Sequence, residues 1–214
     1  MKRLPLGIQT FSQIIEDKMV YVDKSAYIAR LVLGYKYVFL SRPRRFGKSL
    51  FLSSLYSFFN GNSELFDGLA IKDSIKEPWD SFPIIRLDFS AFPSGNPLEL
   101  SYSINKSLMD YAEQYSIDLG GLIEHEYLAT LIRGIYKNTG KRVVILIDEY
   151  DKPIVDLLDN PAIAEQNKEK KMLELRTYYE LGLPNLEVEE SFYKYLFSSM
   201  TELDPEIDIS FVEK

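Results

Sequence analysis

At 214 residues, 46% hydrophobic and 27% charged, the chain carries enough apolar surface for one sizeable core, which excludes an intrinsically disordered protein. It has no cysteine and one histidine, His125, so a disulfide framework, thiolate chemistry and any His-based triad or metal site are excluded. A formal net charge of −7 argues against broad binding to nucleic acid, which needs an excess of phosphate-neutralising side chains. No stretch approaches the roughly 20 apolar residues that span a bilayer, and Met1-Lys2-Arg3-Leu4-Pro5 lacks the apolar core of a signal peptide; the expectation is no membrane partner and a cytoplasmic location.

In chain order, a short lead-in is followed by a helix over Lys24 to Leu33 and an apolar strand at Tyr37 to Ser41. A loop ending Gly47-Lys48-Ser49 opens a helix over Lys48 to Phe59, in which Leu50, Phe51, Leu55, Phe58 and Phe59 recur at core-packing spacing. Gly61 and Asn62 stop it. A connection through Trp79 and Pro83 leads to a strand at Ile84 to Phe89, then helices at Pro97 to Tyr115 and Gly121 to Asn138. The aliphatic run Val143 to Ile147 reads as a strand buried on both faces, and it ends in Asp148-Glu149. A charged helix at Ala162 to Tyr179, a helix at Glu187 to Met200 with Val188, Phe192, Tyr195 and Leu196 on one side, and an acidic tail complete the reading. Alternating strands and helices predict an α/β fold, a mostly parallel sheet flanked by helices.

The loop carries the chemistry. Arg42, Arg44, Arg45 and Lys48 form the densest basic cluster of an acidic chain, which suits a compact polyanion better than a duplex. Backbone N–H groups from Arg44 to Leu50, together with the uncapped start of the helix, converge on a polyphosphate. In this reading Gly47 lets the backbone approach closely, Lys48 bridges the β and γ phosphates, and Ser49 gives its hydroxyl oxygen to Mg²⁺. A strict G-x-x-x-x-G-K-[ST] pattern fails at its first glycine, where Arg42 stands before Pro43. Acids at the carboxyl end of a parallel strand lie where ligands bind in open sheets. Asp148 would hold the metal through its water shell and Glu149 would orient or deprotonate a water; the alternative is that both cap the following turn. Asp88 and Asp23 read as a turn residue and a helix cap, His125 as an exposed residue. Asn167-Lys168-Glu169-Lys170 lacks the aspartate of a guanine site, which favours ATP over GTP.

Several of these runs also resemble a known family. Leu4-Pro5-Leu6-Gly7-Ile8-Gln9, Tyr21-Val22-Asp23-Lys24, Ser41 through Ser49, Leu87-Asp88-Phe89-Ser90 and Ile147 through Pro153 are similar to the bacterial AAA-ATPase-like family, in which Arg42 belongs to the family's own version of the loop. The resemblance implies a three-layer P-loop NTPase fold over residues 1–169, ATP and Mg²⁺ as cofactors, Lys48 and Ser49 as phosphate and metal ligands, and Asp148 and Glu149 as the acidic pair. It jumps after Glu169 to Leu181-Gly182-Leu183-Pro184-Asn185-Leu186-Glu187-Val188, which marks residues 170–214 as a helical remnant. The chain thus resembles a shortened member without the sensor strand, the lid and a nuclease-like C-terminal domain. Loss of that strand would leave the sheet incomplete, at about 1–3 kcal/mol for each unpaired buried backbone group, and a lost arginine finger can be worth ~10³-fold in turnover. The expectation is ATP binding with weak or absent hydrolysis. The alternatives are a non-catalytic interaction domain that binds no nucleotide, and a homo-oligomer that supplies the missing groups.

Overall fold

The computed structural model describes residues 2–36, 38, 40, 46–76, 78–93 and 95–152. Of the strand expected at Tyr37 to Ser41 only Val38 and Leu40 are described, and the loop residues Arg42 to Arg45, the domain boundary expected at residue 169 and both expected C-terminal helices lie outside the described residues. The chain divides between Ile84 and Ile85 into two compact units.

The first unit is helical: α1 (Phe11–Glu16), α2 (Ser25–Gly34), α3 (Lys48–Phe59) and α4 (Ile71–Ser74), with a 3₁₀ turn at Ser63–Phe66. Its core gathers Phe11, Ile28, Phe58, Phe66 and Ile71, with Tyr21 and Trp79 packed against it. The Phe11 and Phe66 rings lie 4.7 Å apart and those of Phe66 and Trp79 5.1 Å, separations at which aromatic pairs add to area burial. Asp23 ties two helix starts together. Its Oδ1 accepts the Ser25 N–H at 2.7 Å and its Oδ2 the Ala70 N–H at 2.8 Å, while Ser25 Oγ accepts the Ile71 N–H at 3.0 Å. Burial pushes the Asp23 carboxyl up, but the hydrogen bonds from Ala70 and Ser25 outweigh it and hold the group below its ordinary value.

Helix α3 has the predicted bounds and a different buried face. Ser53, Ser54, Ser57 and Phe58 are buried, whereas Leu50, Phe51, Leu55 and Phe59 are half-buried. The serines admit a close neighbour: α1 packs on α3, and the Phe11 N–H donates to Ser53 Oγ at 3.0 Å. Ser54 satisfies its own hydroxyl on the Leu50 carbonyl at 3.0 Å. Gly61 ends the helix at φ 81°, where a Cβ would stand 3.4 Å from the Ser81 nitrogen and the Trp79 oxygen, so both the turn and the approach of that strand of chain call for glycine.

The second unit holds β1 (Ile84–Asp88), α5 (Pro97–Gln114), α6 (Tyr127–Thr139) and β2 (Val144–Asp148). The two strands pair in parallel, flanked by helices, as the α/β reading requires. Ile85, Leu87, Leu100, Ile104, Leu108, Leu131 and Ile135 form its core. Asn96 caps α5, its Oδ1 accepting the Leu98 N–H at 2.9 Å, with Pro97 in the first turn. Helix α6 starts at Tyr127 rather than Gly121, because Gly121 takes a left-handed φ of 77° and Glu124–Glu126 form a 3₁₀ turn. Gly140, at φ 68°, closes it. In β2 only Leu146 and Asp148 are buried; Val144, Ile145 and Ile147 remain partly exposed, less covered than the aliphatic run predicts. The outward backbone of β1 is met by a side chain: Tyr111 Oη accepts the Arg86 N–H at 2.9 Å and donates to the Arg86 carbonyl at 3.1 Å. No helix among the described residues is long and apolar enough to cross a membrane.

Candidate functional site

The start of α3 and the end of β2 belong to different units, and each is built by its own local means. At α3, Gly47 is the N-cap residue with φ 77° and ψ 27°, and its carbonyl accepts the first helical bond, from the Phe51 N–H at 2.9 Å. The N–H groups of Lys48, Ser49 and Leu50 precede that bond and have no partner within the helix. Gly47 has no side chain with which to cap this end, and the first turn of α3 contains no acid. A Cβ added at Gly47 would meet nothing within 4 Å. Glycine is needed there for its backbone angles, and among the described residues nothing would oppose a Cβ at this position. Lys48, Ser49 and Leu50 are half-buried and Phe46 is exposed. Arg44 and Arg45, the other expected loop contacts, lie outside the described residues.

Helix α3 is held from behind by Phe11 on Ser53 and by Tyr21, whose phenol hydrogen-bonds with Ser54 and is pushed up mainly by burial. Tyr21 also meets the Phe11 ring edge-on at 5.2 Å. The Tyr21-Val22-Asp23-Lys24 run therefore acts structurally, buttressing the loop helix and capping two others. Asp23 was legible as a cap from its place before a helix. Tyr21 had no local signal, since its partner is a serine 33 positions further along.

At β2, Asp148 is buried at 6% exposure as the last strand residue. Its Oδ1 accepts the Glu149 N–H at 3.0 Å. Glu149 has a φ of 49°, a left-handed backbone that costs a non-glycine residue roughly 1–2 kcal/mol, and its carbonyl accepts the Lys152 N–H at 3.0 Å. Part of the turn-capping alternative is thus realised, by Asp148. Burial, then the nearby Asp151 and Glu149 carboxylates, pushes the Tyr150 phenol well above its usual range. Among the described residues the Asp151 Oδ1 atom is buried with no hydrogen-bond partner. Asp88, at the same end of the paired strand, spends its Oδ1 on the Ser90 N–H at 2.9 Å and the Ser90 hydroxyl at 2.6 Å, the turn role expected for it. His125 is exposed in the 3₁₀ turn before α6.

Among the described residues no three His, Cys, Asp or Glu side chains converge as a metal cage. A serine hydroxyl and a strand-end carboxylate are each oxygen donors of the kind magnesium takes, since it keeps several waters and few protein ligands.

A family model described as Predicted AAA-ATPase matches residues 5–200. The chain belongs to the AAA-ATPase-like family. Among curated proteins it is similar to an "Uncharacterized protein in vnfD 5'region" of Azotobacter chroococcum mcd 1, at 40% identity over 169 residues. That alignment covers 77% of this chain and 32% of the relative, so the chain spans about a third of the length of the curated relative it matches. No solved structure matches it.

Proposed function

We propose that this chain binds Mg-ATP as a P-loop protein of the cytoplasm and hydrolyses it slowly or not at all. The observation that carries the reading is the left-handed Gly47 opening α3 directly ahead of Lys48-Ser49, in a chain of the AAA-ATPase-like family. The N–H groups of residues 44–50 would bind phosphate oxygens, and the Lys48 ammonium would neutralise the β and γ phosphates. Ser49 Oγ would be the hydroxyl ligand of Mg²⁺. Asp148, with Oδ1 engaged by its neighbour's N–H, would present Oδ2 to a metal-bound water, and the Glu149 carboxylate would accept a proton from an attacking water. Bound magnesium would neutralise charge on the transferring phosphoryl group.

Isothermal titration of the full chain with Mg-ATP, beside Lys48→Ala, tests this. Loss of a charge-assisted contact of about 1.5–3 kcal/mol predicts roughly a 10- to 150-fold weaker affinity; equal heats for both proteins would remove the proposal. The turn that Asp148 caps favours the second reading, an interaction domain that binds no nucleotide, for which no nucleotide would shift the melting temperature. A homo-oligomer that completes the site would instead show turnover per chain rising steeply with protein concentration.

A further inference from the structure

Tyr111 holds both main-chain groups of one strand residue. It stands in the last turns of α5, where its ring packs against the core that contains Leu108 and Ala112, so its hydroxyl is set in place by that packing. Oη accepts the Arg86 N–H at 2.9 Å and donates to the Arg86 carbonyl at 3.1 Å. Arg86 is the middle residue of β1. A strand residue directs its N–H and C=O to the same side, so both groups leave β1 on the edge away from β2, the strand with which it pairs.

A hydroxyl that gives one bond and takes one does what a single residue of an antiparallel partner would do, since the residues of a hydrogen-bonded pair exchange both bonds. An unpaired edge is a template for another extended chain, and the same edge of a second copy is self-complementary about a two-fold axis. The ends of this edge are closed by other means. Pro83, just before β1, has no N–H to give, and Asp88 leaves the strand for a turn held on Ser90. We propose that Tyr111 guards this edge: its hydroxyl fills the hydrogen-bonding site at the centre of β1 and so keeps a second copy of the chain from adding its own β1 there in antiparallel pairing. A two-fold axis through Arg86 would lay Ile84 opposite Asp88 and one Arg86 side chain opposite the other. Like charges in that position repel, so the Arg86 guanidinium assists the Tyr111 hydroxyl.

Because that charge would mask loss of the hydroxyl, the test compares full-length Arg86→Thr with Arg86→Thr/Tyr111→Phe by sedimentation over a range of protein concentrations. Loss of the hydroxyl should tighten self-association at least about tenfold, since two clamps no longer have to open before the strands pair. Ile104→Val in the same background, a change at a fully buried core residue that leaves the clamp whole, controls for lost stability. Hydrogen exchange reads the same event at one residue: in the dilute Tyr111→Phe variant the Arg86 amide should exchange on the order of tenfold faster, and it should regain protection as the concentration rises. Self-association unchanged by Tyr111→Phe, equal self-association in the Ile104→Val control, or an Arg86 amide that gains no protection with concentration would each overturn the proposal.

Discussion

The start of α3 and the end of β2 each end a motif in a left-handed residue, and they solve that problem in opposite ways. Gly47 reaches φ 77° without cost, and the helix behind it is braced by Ser53 on Phe11 and Ser54 on Tyr21. Glu149 reaches φ 49° against its own side chain, held by Asp148 Oδ1, beside an Asp151 oxygen with no partner among the described residues. One region is relaxed and buttressed; the other stores strain. The difference teaches that a left-handed residue is reached freely where glycine stands, whereas elsewhere the surrounding hydrogen bonds must hold the chain in a costly turn.

Substitutions can break this contrast. The largest effect belongs to the brace: Ser53→Leu overfills the α1–α3 contact and strands the buried Phe11 N–H, which together should cost about 3 kcal/mol by chemical denaturation. A loss below about 1 kcal/mol would mean that α3 does not depend on α1. Next come the two left-handed residues, which should respond with opposite signs. Gly47→Ala should destabilise by about 1–2 kcal/mol, while Glu149→Gly should stabilise by up to about 1 kcal/mol as strain is released against the added chain entropy. Equal signs would show that the strain assignment is wrong. The smallest effect is electrostatic. Because its hydrogen bonds hold Asp23 below its ordinary value, its stabilisation is present above the usual aspartate range and is lost as pH falls through the depressed folded value. Asp23→Asn should therefore flatten the acid side of the stability profile and leave the neutral side nearly parallel to that of the parent.

How far the sequence could be read follows the range of the forces involved. The bounds of α3, the cap at Asp23, the turn at Asp88 and the start of α5 at Pro97 are set within a few residues, and the local pattern revealed them. The serine floor of α3 is set by α1, the role of Tyr21 by Ser54, and the Tyr111 clamp on Arg86 by a residue 25 positions away; periodicity assigns such faces to the largest apolar residues and misses them. Helix α6 was placed early because Gly121 sits six residues before its start, and a glycine reads equally as a helix entry or as a separate turn. The Glu149 strain had no signal in composition, since nothing in Asp-Glu-Tyr-Asp requires a positive φ.

The central proposal is that the chain binds magnesium-bound ATP through the Gly47-Lys48-Ser49 segment, and titration calorimetry with ATP, in the presence and absence of Mg²⁺, tests it most directly. Lys48→Ala should weaken binding in both conditions, and Asp148→Ala should remove the gain that Mg²⁺ brings. Undiminished affinity in Lys48→Ala, or a magnesium gain unaffected by Asp148→Ala, would contradict the account.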